Sequence, residues 1–178
     1  MKATRFILLA ALIMSASLAR ASDTKKQLKE PVKDPNGILW YNYEAGWQKA
    51  KAENKHMFVD FTATWCGWCK RLEASTFADP RVIESLSKDF VPVKVWEKSP
   101  DMLDIDGLKI AEEDLRIKEF GAQSFPMLWF VSPKATRVGP VRGYVDANQL
   151  VRFFDIVKNY RYDTTLDASG NPKGEKKP

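Results

Sequence analysis

The middle of the chain alternates short apolar runs with segments of helical spacing. Ile38-Leu39-Trp40 is a short apolar segment, and residues 44–54 have helical character. His56-Met57-Phe58-Val59-Asp60-Phe61 reads as a buried strand with one carboxylate in it. A helix is expected over residues 66–78, followed by a second helical piece over 81–88. The valine-rich run 90–96 is the next strand, and 108–120 is expected to be helical after an acidic, irregular stretch at 99–106. Met127-Leu128-Trp129-Phe130-Val131 is a strong apolar strand, Ser132-Pro133-Lys134 a turn, and 137–144 a last strand. Over 147–160, Leu150, Phe153, Phe154 and Val157 fall at helical spacing. Strands alternating with helices and closed by a hairpin predict an α/β fold. Its central mixed β-sheet is flanked by helices on both faces.

The flanks are of a different kind. Lys2 and Arg5 precede a nine-residue apolar run, Phe6 to Met14, and Ala19-Arg20-Ala21 has the small-x-small pattern of a cleavage site. Residues 1–21 therefore read as a signal peptide, with the mature chain starting at Ser22. The alternative, a retained membrane anchor, needs about twenty apolar residues. No stable membrane insertion is expected after cleavage. The expected location is periplasmic or secreted, where disulfides persist. Residues 22–37, charged and with two prolines, are expected to be a flexible lead-in, 38–162 the domain, and 163–178 a disordered tail.

With 178 residues, 44% hydrophobic and 29% charged, the chain has room for one domain with one good core. Its net charge of +5 is largely terminal: Lys25, Lys26, Lys29 and Lys33 lie near the start, Lys173, Lys176 and Lys177 at the end. No basic stripe is interleaved with aromatics, so nucleic acid is not an expected partner.

The chemistry concentrates in Thr64-Trp65-Cys66-Gly67-Trp68-Cys69-Lys70, which holds both cysteines of the chain. Three readings compete. A zinc site needs four ligands, and the chain offers two cysteines and one histidine, His56, which sits inside a predicted strand and is assigned no role. A structural disulfide closing so short a loop constrains the unfolded chain little. The redox reading rests on position: the pair follows a buried strand and opens a helix, where the dipole and unpaired N–H groups favour thiolate. Residues three apart share a helix face, so Cys69 reaches back to Cys66. Cys66 is then expected to be exposed and to attack first, with Cys69 shielded and resolving. Gly67 allows close approach, and Trp65 and Trp68 put apolar surface beside the sulfurs. Asp60, six residues before Cys66, is costly in an apolar strand without a partner or a task. It is expected to lie under the pair and relay a proton to or from Cys69 through water, with Lys94 as its partner. Phe125-Pro126 begins the strand at 127, a context where a cis bond is accessible.

The run Phe58-Val-Asp-Phe-Thr-Ala-Thr-Trp-Cys-Gly-Trp-Cys-Lys70 closely resembles the active-site segment of thioredoxin-fold thiol:disulfide oxidoreductases. Phe125-Pro126 looks like the residue and cis-proline that face the disulfide in that family. Arg142-Gly143-Tyr144 before an amphipathic helix resembles its last strand and helix. The likeness covers about residues 38–160. The segment Lys70 to Val82 is similar to exported thioredoxin-like proteins and the C-terminal domain of the thiol:disulfide interchange protein. Two departures stand out: Gly-Trp between the cysteines, and a longer 99–106 stretch. The resemblance implies a protein disulfide oxidoreductase without metal or organic cofactor. Cys66 and Cys69 would be catalytic, Asp60 would assist, and Trp65, Gly67, Trp68, Phe125 and Pro126 would contact substrate. It also implies protein disulfide or thiol substrates and, for a reductant, a membrane electron donor. An oxidant using the same site and a non-catalytic binding or assembly module are the alternatives.

Overall fold

The computed structural model describes residues 29–163; the expected signal peptide, the lead-in up to residue 28 and the tail from 164 lie outside them. In chain order the elements are β1 (Val32–Lys33), β2 (Leu39–Trp40), α1 (Tyr43–Glu53), β3 (His56–Thr62), α2 (Gly67–Ala74), α3 (Pro80–Lys88), β4 (Phe90–Trp96), β5 (Met102–Ile105), β6 (Leu108–Ala111), α4 (Glu112–Asp114), β7 (Met127–Val131), β8 (Arg137–Arg142) and α5 (Ala147–Lys158). The central sheet has the order β4-β3-β7-β8. β3 runs parallel to β4 and antiparallel to β7, and β7 and β8 form the closing hairpin. The expected mixed sheet is present. No helix among the described residues is long and apolar enough to cross a membrane.

Helices cover both faces. On one side Tyr43 and Trp47 of α1 pack with Met57, Val59, Phe61, Val93 and Phe120. On the other, Leu72 of α2, Val82 and Leu86 of α3 and Phe154 of α5 pack with Phe58, Leu128 and Phe130. The period-two alternation of β3 sorts its side chains between these layers. Met57, Val59 and Phe61 face α1; Phe58 faces the layer of α2, α3 and α5, and Asp60, two residues on, shares its face. All seven residues of β3 are buried, as befits a central strand.

Side-chain caps set the helix starts. Asn42 Oδ1 accepts the Ala45 N–H at 2.8 Å, and Asp146 Oδ1 accepts the Gln149 N–H at 2.9 Å. Asp79 caps α3, whose first residue is Pro80. α1 lies so close to β4 that a Cβ at Gly46 would stand 2.2 Å from Val93 Cγ2.

Four expectations are corrected. The helix expected at 108–120 begins only at Glu112, because 108–111 is β6, paired antiparallel with β5. Asp106 and Gly107 both take positive φ (54° and 90°) and form the two-residue turn of that hairpin. Beyond α4 the chain continues as a π-helical turn, Leu115–Glu119. The helix expected at 66–78 stops at Ala74, since Ser75 leaves helical geometry and Thr76 Oγ1 donates instead to the Val145 carbonyl at 2.6 Å. A 3-10 turn follows at Thr76–Ala78. The last strand ends at Arg142 because Gly143 takes φ 76° and donates its N–H to the Pro126 carbonyl at 2.9 Å. Residues 32–37, assigned from sequence to the lead-in, hold β1 and a turn that pairs it antiparallel with β2.

Candidate active site

β3 delivers the chain to a short turn, and the Cys66 N–H donates to the Ala63 carbonyl at 3.1 Å. Cys66 is the N-cap of α2: its backbone is extended (φ −76°, ψ 106°) and its Sγ accepts the Cys69 N–H at 3.1 Å. One of the orphan donors of the helix start is thus aimed at sulfur. Cys66 and Cys69 form a disulfide, with Cα atoms 5.3 Å apart. Both cysteines are only 3% exposed. The expectation that Cys66 is exposed is corrected: in the bonded state its sulfur is turned onto Cys69, and Ala63 and Phe125 pack against the pair.

The surroundings of the disulfide are aromatic. Trp65 is 66% exposed and Trp68 58%. Trp65 meets Phe125 edge-on at 5.9 Å and donates its indole N–H to Glu97 Oε2 at 2.5 Å. Trp68 lies 5.8 Å from Tyr144. Gly67, between the cysteines, is exposed, with open space where a side chain would project. The Phe125–Pro126 peptide bond is cis. Beneath Phe125 lies the buried Arg116, its guanidinium 5.2 Å from the ring centre and donating to the Ala122 carbonyl.

Asp60 is 1% exposed and stands opposite Lys94 in the β3–β4 register. Lys94 Nζ is 3.9 Å from Asp60 Oδ2 and 2.7 Å from Glu73 Oε1 on α2. Asp60 Oδ1 has no hydrogen-bond partner among the described residues. Burial pushes the Asp60 carboxyl up to about 7; Lys94 opposes the rise, and Glu73 adds to it. A cleft of about 890 Å³ beside α2 reaches Lys94 and Glu73, with Trp40, Lys70, Trp96 and Glu97 also in its walls. The lysine also lies over the Trp40 ring, 4.6 Å from its centre.

A strand-borne buried carboxylate, a disulfide capping the next helix and a cis-proline beside it occur here in one arrangement. The model of the thioredoxin-like domain matches residues 43–158. The chain belongs to the thioredoxin-like domain family. Thiol:disulfide interchange protein DsbD of Campylobacter jejuni is 27% identical over 112 residues, which is 62% of this chain and 18% of that protein. The chain thus spans less than a fifth of the length of that relative. A thioredoxin from Thermus thermophilus superposes with a TM-score of 0.56 at 22% identity, covering 66% of this chain and 85% of that one. A thioredoxin-fold protein from Helicobacter pylori does so with a TM-score of 0.57 at 17% identity, covering 66% and 78%. These two structures establish the thioredoxin-like fold.

Within the thioredoxin-like domain, Cys66, Cys69, Trp65, Gly67, Trp68, Phe125 and Pro126 come together at one end of the sheet. Asp60 lies on the sheet face that α2 covers, paired with Lys94. His56 is elsewhere, buried at the far end of β3, 2.7 Å from the Tyr162 hydroxyl. Burial lowers its imidazole to about 4. Sequence reasoning missed Glu73, Glu97 and Arg116. Glu73 had a readable signal: it lies four residues after Cys69, on the same helix face. Glu97 and Arg116 had none, because their roles depend on how the β4 exit and the π-helical turn fold.

Proposed function

We propose that this protein is an exported thiol–disulfide oxidoreductase that reduces protein disulfides. The carrying observation is the Cys66–Cys69 disulfide at the N-terminus of α2, with Phe125 packed against it. In the reduced enzyme the Cys66 thiolate attacks one sulfur of a substrate disulfide. A mixed disulfide forms, and the other substrate sulfur leaves as a thiolate and takes a proton. The Cys69 thiolate then attacks Cys66 Sγ, forming the internal disulfide and releasing the second substrate thiol. Two electrons pass from the enzyme to the substrate.

Asp60 accepts the Cys69 proton through water as Cys69 becomes the attacking thiolate, and a carboxyl held near 7 is matched to that task. Trp65, Gly67, Trp68, Phe125 and Pro126 form the face on which the substrate chain lies. The reducing direction is supported by the buried carboxylate on the α2 face. Strong oxidants owe their potential to a stabilised reduced form, and a negative charge beneath the helix opposes a thiolate above it. The likeness to DsbD points the same way. Export is supported by Lys2, Arg5, the apolar run after them and Ala19-Arg20-Ala21. A reductant in an oxidising compartment must be recharged, which calls for a membrane electron donor. No step of this exchange needs a metal or organic cofactor.

Turbidity-based insulin reduction with dithiothreitol tests the reading. Catalysis by the wild type and its loss in Cys66→Ser are expected. Full biological function in Cys66→Ser would assign the fold to binding or assembly instead.

A further inference from the structure

Beside the disulfide stands Arg71, a cation with no counter-charge among the described residues. Trp68 and Arg71 lie three residues apart on α2 and share a face. The Arg71 guanidinium carbon is 5.6 Å from the Trp68 ring centre and 5.7 Å from that of Tyr144. Tyr144 is itself held, its hydroxyl 3.1 Å from Ser75 Oγ, which donates to the Arg71 carbonyl at 2.7 Å. The two rings and the serine fix this cluster on the exposed side of the helix.

Most neighbouring charges are matched. Arg81 pairs with Asp79, Lys88 with Glu84 and Lys94 with Glu73. No carboxylate pairs with Arg71 among the described residues; the one acid of α2, Glu73, is taken by Lys94. Arg142 is exposed and likewise has no acidic partner among the described residues. It ends β8 opposite Met127, the residue after Pro126. The two exposed indoles therefore differ in charge: Trp65 is bonded to Glu97, and Trp68 is stacked with Arg71.

We propose that Trp68, Arg71 and Tyr144 form a specificity subsite that receives a carboxylate side chain near the disulfide of an extended polypeptide substrate, with Arg142 adding positive charge. A guanidinium steadied by flat rings and by a hydrogen bond toward Tyr144 still has N–H donors for an incoming anion, which suits a carboxylate and gives no advantage to an amide or an ammonium. The subsite rests on the oxidoreductase reading for its substrate class but not for its binding chemistry. It favours acidic segments over neutral or basic ones, and salt weakens the preference.

Three disulfide-closed peptides test it, identical except for Glu, Gln or Lys beside the cystine. Affinity is read from tryptophan fluorescence and turnover from thiol release. Wild type is expected to bind the Glu peptide about three- to fivefold more tightly than the Gln peptide, the size of an exposed ion pair. Arg71→Gln is expected to abolish that ratio, and Arg71→Glu to transfer the preference to the Lys peptide. Equal affinities of wild type for all three peptides overturn the subsite, whatever the turnover. Graded affinities without turnover of any peptide uphold the subsite and overturn the oxidoreductase reading.

Discussion

Lys94 Nζ stands 3.9 Å from Asp60 Oδ2, beyond hydrogen-bonding reach, inside a sheet where Asp60 is fully covered. The lysine spends its short contact on Glu73 instead, at 2.7 Å. Asp60 therefore has a nearby positive charge but not a full partner. Its carboxyl is held near 7, far above the ordinary 3.8. A carboxylic acid that changes state at neutral pH is fitted to move protons rather than to anchor the sheet.

If Asp60 relays the Cys69 proton, the rate of insulin reduction changes through pH 7 in the wild type, and that transition disappears in Asp60→Asn. The variant is expected to lose about 10²-fold in rate at neutral pH, the low end of general acid–base effects. A pH profile unchanged by the substitution would remove the relay from the mechanism.

Lys94 and Glu73 pull Asp60 in opposite directions. Lys94→Met is expected to move its titration above 7, and Glu73→Gln below 7. Carbon-detected NMR of the Asp60 carboxyl measures both. Shifts of the same sign would show that the two residues act on Asp60 through the backbone and not through charge.

The two buried titratable groups of β3 affect stability in opposite pH directions. Asp60 has a raised carboxyl, so the folded state loses stability as pH rises from 3.8 to about 7. His56 has a lowered imidazole, so stability is lost as pH falls from 6.5 to about 4. Asp60→Asn is expected to be more stable than the wild type by about 2–4 kcal/mol at pH 8, with the advantage gone near pH 4. The variant keeps the acid-side loss from His56 and lacks the Asp60 loss between 3.8 and about 7. Urea denaturation of the oxidised protein across this range checks both slopes.

Gly46→Ala is expected to destabilise the domain by about 1–3 kcal/mol, the usual cost of overpacking. Its added methyl meets Val93 Cγ2 at 2.2 Å, between α1 and the strand β4. Val93→Ala in the same chain should recover part of the loss, because the clash is with that side chain. Chemical denaturation of the single and double variants measures the coupling.

Strong local patterns made most of this architecture readable from sequence. The strands at His56, Phe90 and Met127 are largely apolar runs, and their burial in the sheet follows from that composition. The β5–β6 hairpin was hidden because Leu108, Ala111 and Leu115 fall at helical spacing, while Leu108 and Ile110 share a strand face. Asp106-Gly107 was the turn signal that decides between them. Asp60 stood out as a carboxylate among apolar neighbours, and Lys94 followed from the adjacent strand. The burial of Cys66 was not readable: it depends on Phe125, brought to the pair from 59 residues downstream by the β3–β7 pairing. The Trp68–Arg71–Tyr144 stack likewise joins α2 to the end of β8 and leaves no local trace.

The central claim is that the Cys66–Cys69 pair is a working redox couple that gives electrons to substrate disulfides. Equilibration of the pure protein with glutathione buffers, read by alkylation of free thiols, measures its reduction potential directly. A two-electron couple lying below about −180 mV is predicted, on the reducing side of the isomerases. A potential well above that value, toward the strong oxidants near −120 mV, would contradict the account.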